Sequence, residues 1–493
     1  MVIKEKSKSS VKNQGRIYTP DFIVKNILDL VDYKDGILEK NIIDNSCGDG
    51  AFLIEIVDRY CSAFFAKNKK VDIGELKKHL HKYIHGIEIE KDEVEKCIEN
   101  LNKEALKFGI VDVKWDVICA DTLDIKIFDN KMDFVVGNPP YVRVHNLAGN
   151  YDKVKEFSFS QNGMTDLYIV FFEIGIKMLN STGKMCLITP SSCLRSKAGE
   201  NFRKFIITQK NLKKIVDLGH FQPFEATTYT MITLFQNGTK NDYIEYYTYN
   251  EKDKKPDEIE ILEYADIFIN GKINISKKQN LHLLHDLENY NSNILNKVSV
   301  KNGFATLADS VFIGNFKFNK FTINVLKAST NKWYKCIFPY NRHGRGLEMA
   351  DLEKHQDIYN YLLSNKSFLE SRSIEKNGKW YLFGRSQAIN DVFKDKIAVN
   401  SIVKDKNSIK IEFVPAGSGV YGGLYILSDY GLKEIKDALI NDEFIEYLRL
   451  LKNYKSGGYY TFSSSDLQKF LTYKLRKNNH EQSTIFTNNR CFA

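Results

Sequence analysis

Short apolar runs recur along residues 40–250, spaced to leave room for one amphipathic segment between most neighbours. They are NIID (41–44), YIHGIEI (83–89), WDVICA (115–120), DFVVG (133–137), MCLIT (185–189) and KIVDLG (214–219). Runs this short, bounded by turn residues, have the length of buried strands. Stretches 51–67, 91–109, 166–180 and 199–210 repeat apolar residues at helical spacing. The alternation predicts an α/β fold, a doubly wound and mostly parallel sheet. Two further segments, 228–236 and 243–249, flank an Asn-Gly pair. They are expected to form an antiparallel hairpin closing the sheet. Past residue 250 the rhythm breaks into charged sequence, EKDKKPDEIE and then KKQNLHLLHDLEN. A domain boundary is expected there, giving domains 1–290 and 291–493. The second is irregular, with Gly- and aromatic-rich turns such as PYNRHGRGL and PAGSGVYGGLY, and reads as mixed α+β. No repeat of solenoid period occurs.

Composition narrows the class. A chain of 493 residues, 43% hydrophobic, can build two or three cores and is not wholly disordered. No run reaches the ~18 apolar residues that argue for a membrane span. The basic first 16 residues lack the apolar core of a signal peptide. Eight scattered cysteines without a CxxC pair fit a reducing cytoplasm, and no metal-ligand cluster is visible. The net charge of +9 is uneven: residues 295–493 carry 30 basic and 19 acidic side chains, residues 1–294 carry 41 and 43. A basic region beside a near-neutral one points to a polyanion partner; a lysine-rich solvated surface is the plainer alternative.

Four motifs end the predicted strands. Asp44-Asn45-Ser46-Cys47-Gly48-Asp49-Gly50 turns the first strand into a helix. Gly48 and Gly50 let the backbone turn tightly and approach a ligand. The segment lacks the lysine of a phosphate-binding loop. Asp44 suits a ligand with an amino group, such as the methionine end of S-adenosylmethionine; an ordinary strand-to-helix turn is the alternative. Glu88, in Gly86-Ile87-Glu88-Ile89-Glu90, is placed to bind both hydroxyls of a ribose. Asp121, ending the third strand, can accept from an adenine amino group or simply cap the next turn. Asn138-Pro139-Pro140-Tyr141 ends the fourth strand in a chain with only eight prolines. Its prolines stiffen the backbone. The Asn138 side-chain oxygen and the Pro139 carbonyl could both accept from one NH₂ group, and Tyr141 offers a flat face to a base.

With these residues in view, the chain resembles the γ class of DNA adenine-N6 methyltransferases, which includes the TaqI and Eco57I-type restriction-modification methylases. The resemblance covers residues 15–240 in detail and the C-terminal region in position, size and character. It implies the class I S-adenosylmethionine-dependent methyltransferase fold followed by a target-recognition domain. It also implies that Arg16-Ile17-Tyr18-Thr19-Pro20 contacts the methionine part of the cofactor, although Thr19 and Pro20 also read as a plain helix start. It assigns Asp44, Cys47, Gly48 and Gly50 to the cofactor loop and Glu88 to the ribose. Ile89 and Phe171 would pack on the cofactor adenine, with Asp121 and Thr122 reading its edge and Asn138 beside it. Asn138, Pro139, Pro140 and Tyr141 form the catalytic motif. Phe224 would cover the flipped base opposite Tyr141, with Tyr229 as a second candidate. Asp-Asn-Ser departs from the family's usual Asp/Glu-Pro-Ala, but the acid and both glycines remain. No room for a nuclease domain precedes residue 15, so the chain reads as methylase only.

The implied partner is double-stranded DNA, with a possible cognate restriction endonuclease and no membrane. In the C-terminal region Arg342, Arg345, Arg385, Ser386 and Gln387 are candidates for base edges. Lys404, Lys406 and Lys410 are candidates for phosphates, and Tyr459 and Tyr460 for a wedge or stack. Methylation of RNA, of a protein glutamine amide or of cytosine N4 would use related chemistry. A catalytically inactive DNA-binding module is the rival from another class.

Overall fold

The computed structural model describes residues 18–68, 70–144, 151–224, 228–289, 298–318, 320–376 and 378–488. The chain divides into two compact units, Met1–His282 and Leu283–Ala493.

The first unit is built on nine strands: β1 (Ile42–Asp44), β2 (Ile84–Glu88), β3 (Asp116–Cys119), β4 (Met132–Gly137), β5 (Leu179–Pro190), β6 (Leu212–Asp217), β7 (Thr230–Gln236), β8 (Tyr243–Asn250) and β9 (Lys255–Glu263). Their order across the sheet is β3-β2-β1-β4-β5-β7-β6-β8-β9. The five strands from β3 to β5 are parallel. The helices are α1 (Asp21–Leu30), α2 (Ala51–Lys67), α3 (Ile73–Tyr83), α4 (Lys91–Leu106), α5 (Leu167–Met178) and α6 (Glu200–Gln209). Ile23, Val24, Ile27 and Leu28 form one stripe of α1 and join Phe52, Leu53, Ile56 and Val57 of α2 in a single core. α5 is buried nearly all round, so its sequence is apolar with little amphipathic contrast. Its one buried acid, Glu173, is met by Lys177 at 2.8 Å and by the Phe159 N–H at 2.9 Å.

The expected hairpin between 228–236 and 243–249 does not form. β7 inserts between β5 and β6 and pairs antiparallel with both, while β8 pairs parallel with β6 and antiparallel with β9. β7 is buried along all but its last residue, a pattern that needs neighbours on both edges. The Asn237-Gly238 turn folds onto the start of β5: the Asn237 N–H donates to the Gly183 carbonyl at 2.9 Å and its amide to the Asn180 carbonyl at 3.1 Å. The hairpin that exists is β8–β9. β9 lies in the charged stretch and forms the sheet edge, where charged side chains discourage strand addition. A two-stranded ribbon, β10 (Phe268–Ile269) and β11 (Lys272–Ile273), follows it.

The second unit is mixed α+β. Its strands are β12 (Val298–Asn302), β13 (Ile313–Gly314), β14 (Thr322–Lys327), β15 (Lys332–Ile337), β16 (Lys396–Val399), β17 (Ile402–Val403), β18 (Ile411–Val414), β19 (Ser418–Tyr421), β20 (Leu424–Ser428), β21 (Tyr454–Lys455) and β22 (Tyr459–Thr461). They form the sheets β12-β20-β16-β18, β13-β15-β14-β19 and β17-β22-β21. Phe304, Phe312, Phe338, Tyr381 and Phe383 make an aromatic core with the helices Met349–Glu353, Gln356–Ser364 and Lys366–Glu370.

Candidate active site

The carboxyl ends of β3, β2, β1 and β4 lie side by side, so residues far apart in sequence meet at one rim. One cavity opens there, walled by Tyr18, Thr19, Asp44, Cys47, Gly48, Glu88, Ile89, Asp121, Thr122, Asn138, Pro140 and Phe171. Pro20, Gly50 and Pro139 do not reach its wall. Gly50 serves the turn instead. It starts α2 in the left-handed region at φ 92°, and a Cβ there would stand 2.8 Å from the Cys97 sulfur on α4. Arg16 and Ile17 lie outside the described residues.

The loop after β1 is pinned to β2. The Cys47 N–H donates to the Ile87 carbonyl at 3.0 Å. Glu88 accepts from the Gly48 and Glu90 N–H groups, each at 3.0 Å, through its two carboxylate oxygens. Thr122 donates to the Asn45 carbonyl at 2.6 Å, tying the third strand's turn to the same loop. Asp121 caps the short turn Thr122–Asp124, accepting from Leu123 N–H at 3.1 Å, and also faces the cavity.

Asp44 is 1% exposed. Burial, reinforced by the neighbouring Glu88 charge, pushes its carboxyl up to about 7 against the bond it accepts from the Ser46 N–H. Gly137 leaves it just enough room: a Cβ there would lie 2.7 Å from Asp44 Oδ1. Gly137→Ala is therefore expected to displace that carboxyl, lowering stability by about 1–3 kcal/mol as overpacked sites do. Ligand affinity should fall with it. Thermal unfolding and ligand titration check both, and a variant with unchanged affinity would show that Asp44 need not hold this position.

Asn138 occupies the wall beneath Thr19. Its amide Nδ2 donates to the Thr19 hydroxyl at 3.1 Å, and its Oδ1 is buried. Pro20 stands at the N-cap of α1 and brings no side-chain cap, and the Thr19 hydroxyl accepts from Asn138. Tyr141 is anchored by its hydroxyl to the Ile188 carbonyl at 3.0 Å, and its ring meets Tyr168 and Phe224 edge-on, at 6.2 and 6.3 Å between centroids. Phe224 is buried in the same core. The Tyr141 and Phe224 planes are 73° apart. A base stacked on both at about 3.5 Å per contact needs them parallel and about 7 Å apart. Capture of a base between these rings therefore requires one of them to turn. Tyr229 packs against His220 at 5.9 Å instead.

The sequence reading missed three acids on the cavity wall, Asp49, Glu90 and Glu93. Glu90 and Glu93 stand one helical turn apart at the start of α4, a spacing that could have flagged them. With Asp44, Glu88 and Asp121 they supply six carboxylates, and no lysine or arginine appears among the described wall residues.

In the second unit the candidate DNA residues separate into two groups. Arg342 and Arg345 are exposed on a turn closed by Asn341, and Tyr459 is 39% exposed. The others are engaged within the fold. Arg385 donates to the Ser373 and Gly384 carbonyls at 2.9 and 3.1 Å, and Gln387 to the Gly303 carbonyl at 2.6 Å. Tyr460 is buried against Tyr454, which corrects its placement as a surface wedge. Ser386 bonds Glu375, Lys406 pairs with Asp442, and Lys410 donates to the Ser329 carbonyl.

Residues 50–224 match the family model described as Eco57I restriction-modification methylase. The Type II restriction enzyme and methyltransferase RM.Eco57I of Escherichia coli is 23% identical over 90% of this chain and 55% of its own length. The Type II methyltransferase M.BstVI of Geobacillus stearothermophilus is 31% identical over 47% and 43%. The chain spans about half the length of these curated relatives. Among solved structures, the Type IIL restriction-modification enzyme MmeI in complex with DNA aligns with a TM-score of 0.61 at 14% identity, covering 90% of this chain and 64% of that one. A nuclease-deletion mutant of the Type ISP enzyme LlaGI aligns with a TM-score of 0.51 at 14% identity, covering 83% and 41%. These likenesses establish a shared fold.

Proposed function

We propose that the chain is an S-adenosylmethionine-dependent methyltransferase acting on the N6 amino group of an adenine flipped out of double-stranded DNA, as the modification partner of a restriction-modification system. The position of Asn138 carries this reading. It borders the acid-walled cavity, and the same motif supplies Tyr141 three residues on, against Phe224.

The wall chemistry supports the cofactor. Six carboxylates, of which Glu93 is met by Lys96 at 2.8 Å, on a wall with no lysine or arginine among its described residues disfavour a di- or triphosphate and suit a ligand with an amino group, ribose hydroxyls and positive charge. S-adenosylmethionine fits that description and, when bound, supplies a methyl group already activated on a sulfonium. Asp44 would hold the amino group, Glu88 the ribose hydroxyls and Asp121 the adenine edge, with Ile89 and Phe171 covering the ring. Asn138 Oδ1 and the Pro139 carbonyl would accept hydrogen bonds from the two N–H groups of the target amine, drawing its nitrogen toward tetrahedral geometry and freeing its lone pair; after the methyl group has transferred, one of these protons is lost to solvent. The Thr19 hydroxyl accepts from the Asn138 amide nitrogen and so fixes which end of the amide is the oxygen. Alignment carries much of the rate in such a transfer. A buried amino group in a duplex must first be flipped out.

The test is direct. The protein is incubated with S-adenosylmethionine and unmethylated DNA, and the DNA is digested to nucleosides for mass spectrometry. N6-methyladenine is the expected product; N4-methylcytosine would overturn the choice of target atom. Methyl transfer only to RNA or protein would overturn the choice of DNA. Tyr141→Ala should reduce the fluorescence rise of a 2-aminopurine target by most of its amplitude while cofactor affinity holds, since base–aromatic stacking is worth about 1–3 kcal/mol. An undiminished rise would remove Tyr141 from base capture.

A further inference from the structure

The β14–β15 hairpin carries a combination that its fold does not need. Lys327 and Lys332 stand directly opposite each other across the two strands, next to the Leu326–Trp333 pair. Like charges in that position are destabilising. Lys332 and Lys335 have no carboxylate partner among the described residues. The Lys410 ammonium adds to the hairpin's tip through the Ser329 carbonyl at 2.9 Å. Glu412 reaches the tip only through Asn331, at 3.3 Å. Between these lysines Trp333 is 44% exposed. It shares a face with Lys335, two residues on, while Lys327 and Lys332 share the other. β15 meets β13 only at Lys335 and Cys336, so its outer edge at 332–334 is open.

Lysines alone are the common guard of an open edge strand. A half-exposed tryptophan among them works against that guard and calls for a partner. The far edge of β14 is covered by β19, so the open end of β15 is what the hairpin offers. There Lys332 on one face and Lys335 on the other, with the flat Trp333 between them, match the phosphates bordering a groove and the sugar or base edges within it. The unit that carries it holds the excess positive charge of the chain.

We propose that the β14–β15 hairpin is the duplex-DNA grip of the C-terminal unit, with Lys332 and Lys335 on phosphates and Trp333 packed into the groove. The inference rests on the reading of the chain as a DNA methyltransferase. It differs from the sequence expectation, which placed this role on the turns around Arg342, Arg385 and Tyr459.

Fluorescence anisotropy of the full chain with a labelled unmethylated duplex, across a salt series, tests it. Lys332→Gln/Lys335→Gln should weaken binding at least tenfold at low salt. It should also lower the slope of log affinity against log salt by about two, because each lost phosphate contact removes close to one unit. Trp333→Ala should weaken binding roughly five- to tenfold with the slope unchanged. Lys332→Arg/Lys335→Arg should restore the slope, and Lys433→Gln/Lys436→Gln, on the helix Leu432–Leu439, should change neither quantity. A thermal midpoint no lower than the native one and an unchanged cofactor affinity mark the variants as folded. If the native chain binds duplex DNA and the hairpin variants match it, the proposal is wrong. An equal loss in the Lys433/Lys436 variant also overturns it, since bulk charge would then explain the effect. A native chain that does not bind duplex DNA at all overturns the functional reading itself, which is a separate outcome.

Discussion

Asn138→Ala should reduce methyl transfer by about 10²–10³-fold or more, the cost of losing one preorganised polar contact to developing charge. Cofactor affinity should stay within a few-fold of the native value. The split follows from where the side chain sits. Asn138 forms part of the cavity wall and its amide donates to the Thr19 hydroxyl, while the acids proposed to meet the cofactor's polar groups stand elsewhere on the rim. Removing the amide leaves Asp44, Glu88 and Asp121 in place and takes away the acceptor that draws the target nitrogen out of conjugation. Single-turnover methylation and calorimetric titration read the two quantities separately. Normal turnover in this variant would sink the catalytic assignment. Equal losses in turnover and cofactor affinity would make Asn138 a cofactor ligand rather than a contact to the target.

The second large effect concerns Asp44 and pH. In the free protein its carboxyl titrates at about 7, raised chiefly by burial. A cationic amino group beside it favours the ionised form, so binding releases a proton whenever the free carboxyl is protonated. Affinity for S-adenosylmethionine is therefore expected to be flat above pH 7 and to fall toward tenfold per unit below it. Asp44→Asn should abolish this dependence and weaken binding roughly 10–100-fold at pH 8, the range of a charge-assisted hydrogen bond. Stability should move the other way. The folded-state value lies above that of the unfolded chain, so the contribution of Asp44 to folding is fully present below about pH 4 and is lost as pH rises through 7. The asparagine variant should thus unfold at a higher temperature than the native chain at pH 8, in the absence of ligand. Titrations between pH 5.5 and 8.5 with parallel melting curves test both halves. An affinity that falls as pH rises would remove Asp44 from contact with a cationic group.

Much of the first unit was legible because strand and helix periods are local properties. The six apolar runs coincide with β1–β6, and the helical stretch 51–67 coincides with α2. The four candidate motifs were legible for a related reason: a loop at a strand's carboxyl end carries its chemistry in a few adjacent residues. Strand pairing was not legible. An Asn-Gly pair between two strand-like segments is a sound local signal for a hairpin, yet β7, buried along all but its last residue, lies between β5 and β6 inside the sheet. The acids Glu90 and Glu93 escaped for the opposite reason, since a helix start rich in acids looks like ordinary dipole compensation until the cavity beside it is seen.

By itself the sequence determined the alternation of strands and helices, the glycine turn, the acids that end the strands and the Asn-Pro-Pro-Tyr element. All of these are written in short contiguous stretches. The tertiary structure alone decided which of them meet. It set the Thr19 hydroxyl against the Asn138 amide across 119 residues and closed Asp44 behind Gly137, so that burial changes its charge near neutral pH. It tied the exposed Gln387 to the Gly303 carbonyl, buried Tyr460, and left Trp333, Lys332 and Lys335 facing outward. Hydrogen bonding, burial and exposure depend on neighbours brought from elsewhere in the chain, and no local pattern of residues contains them.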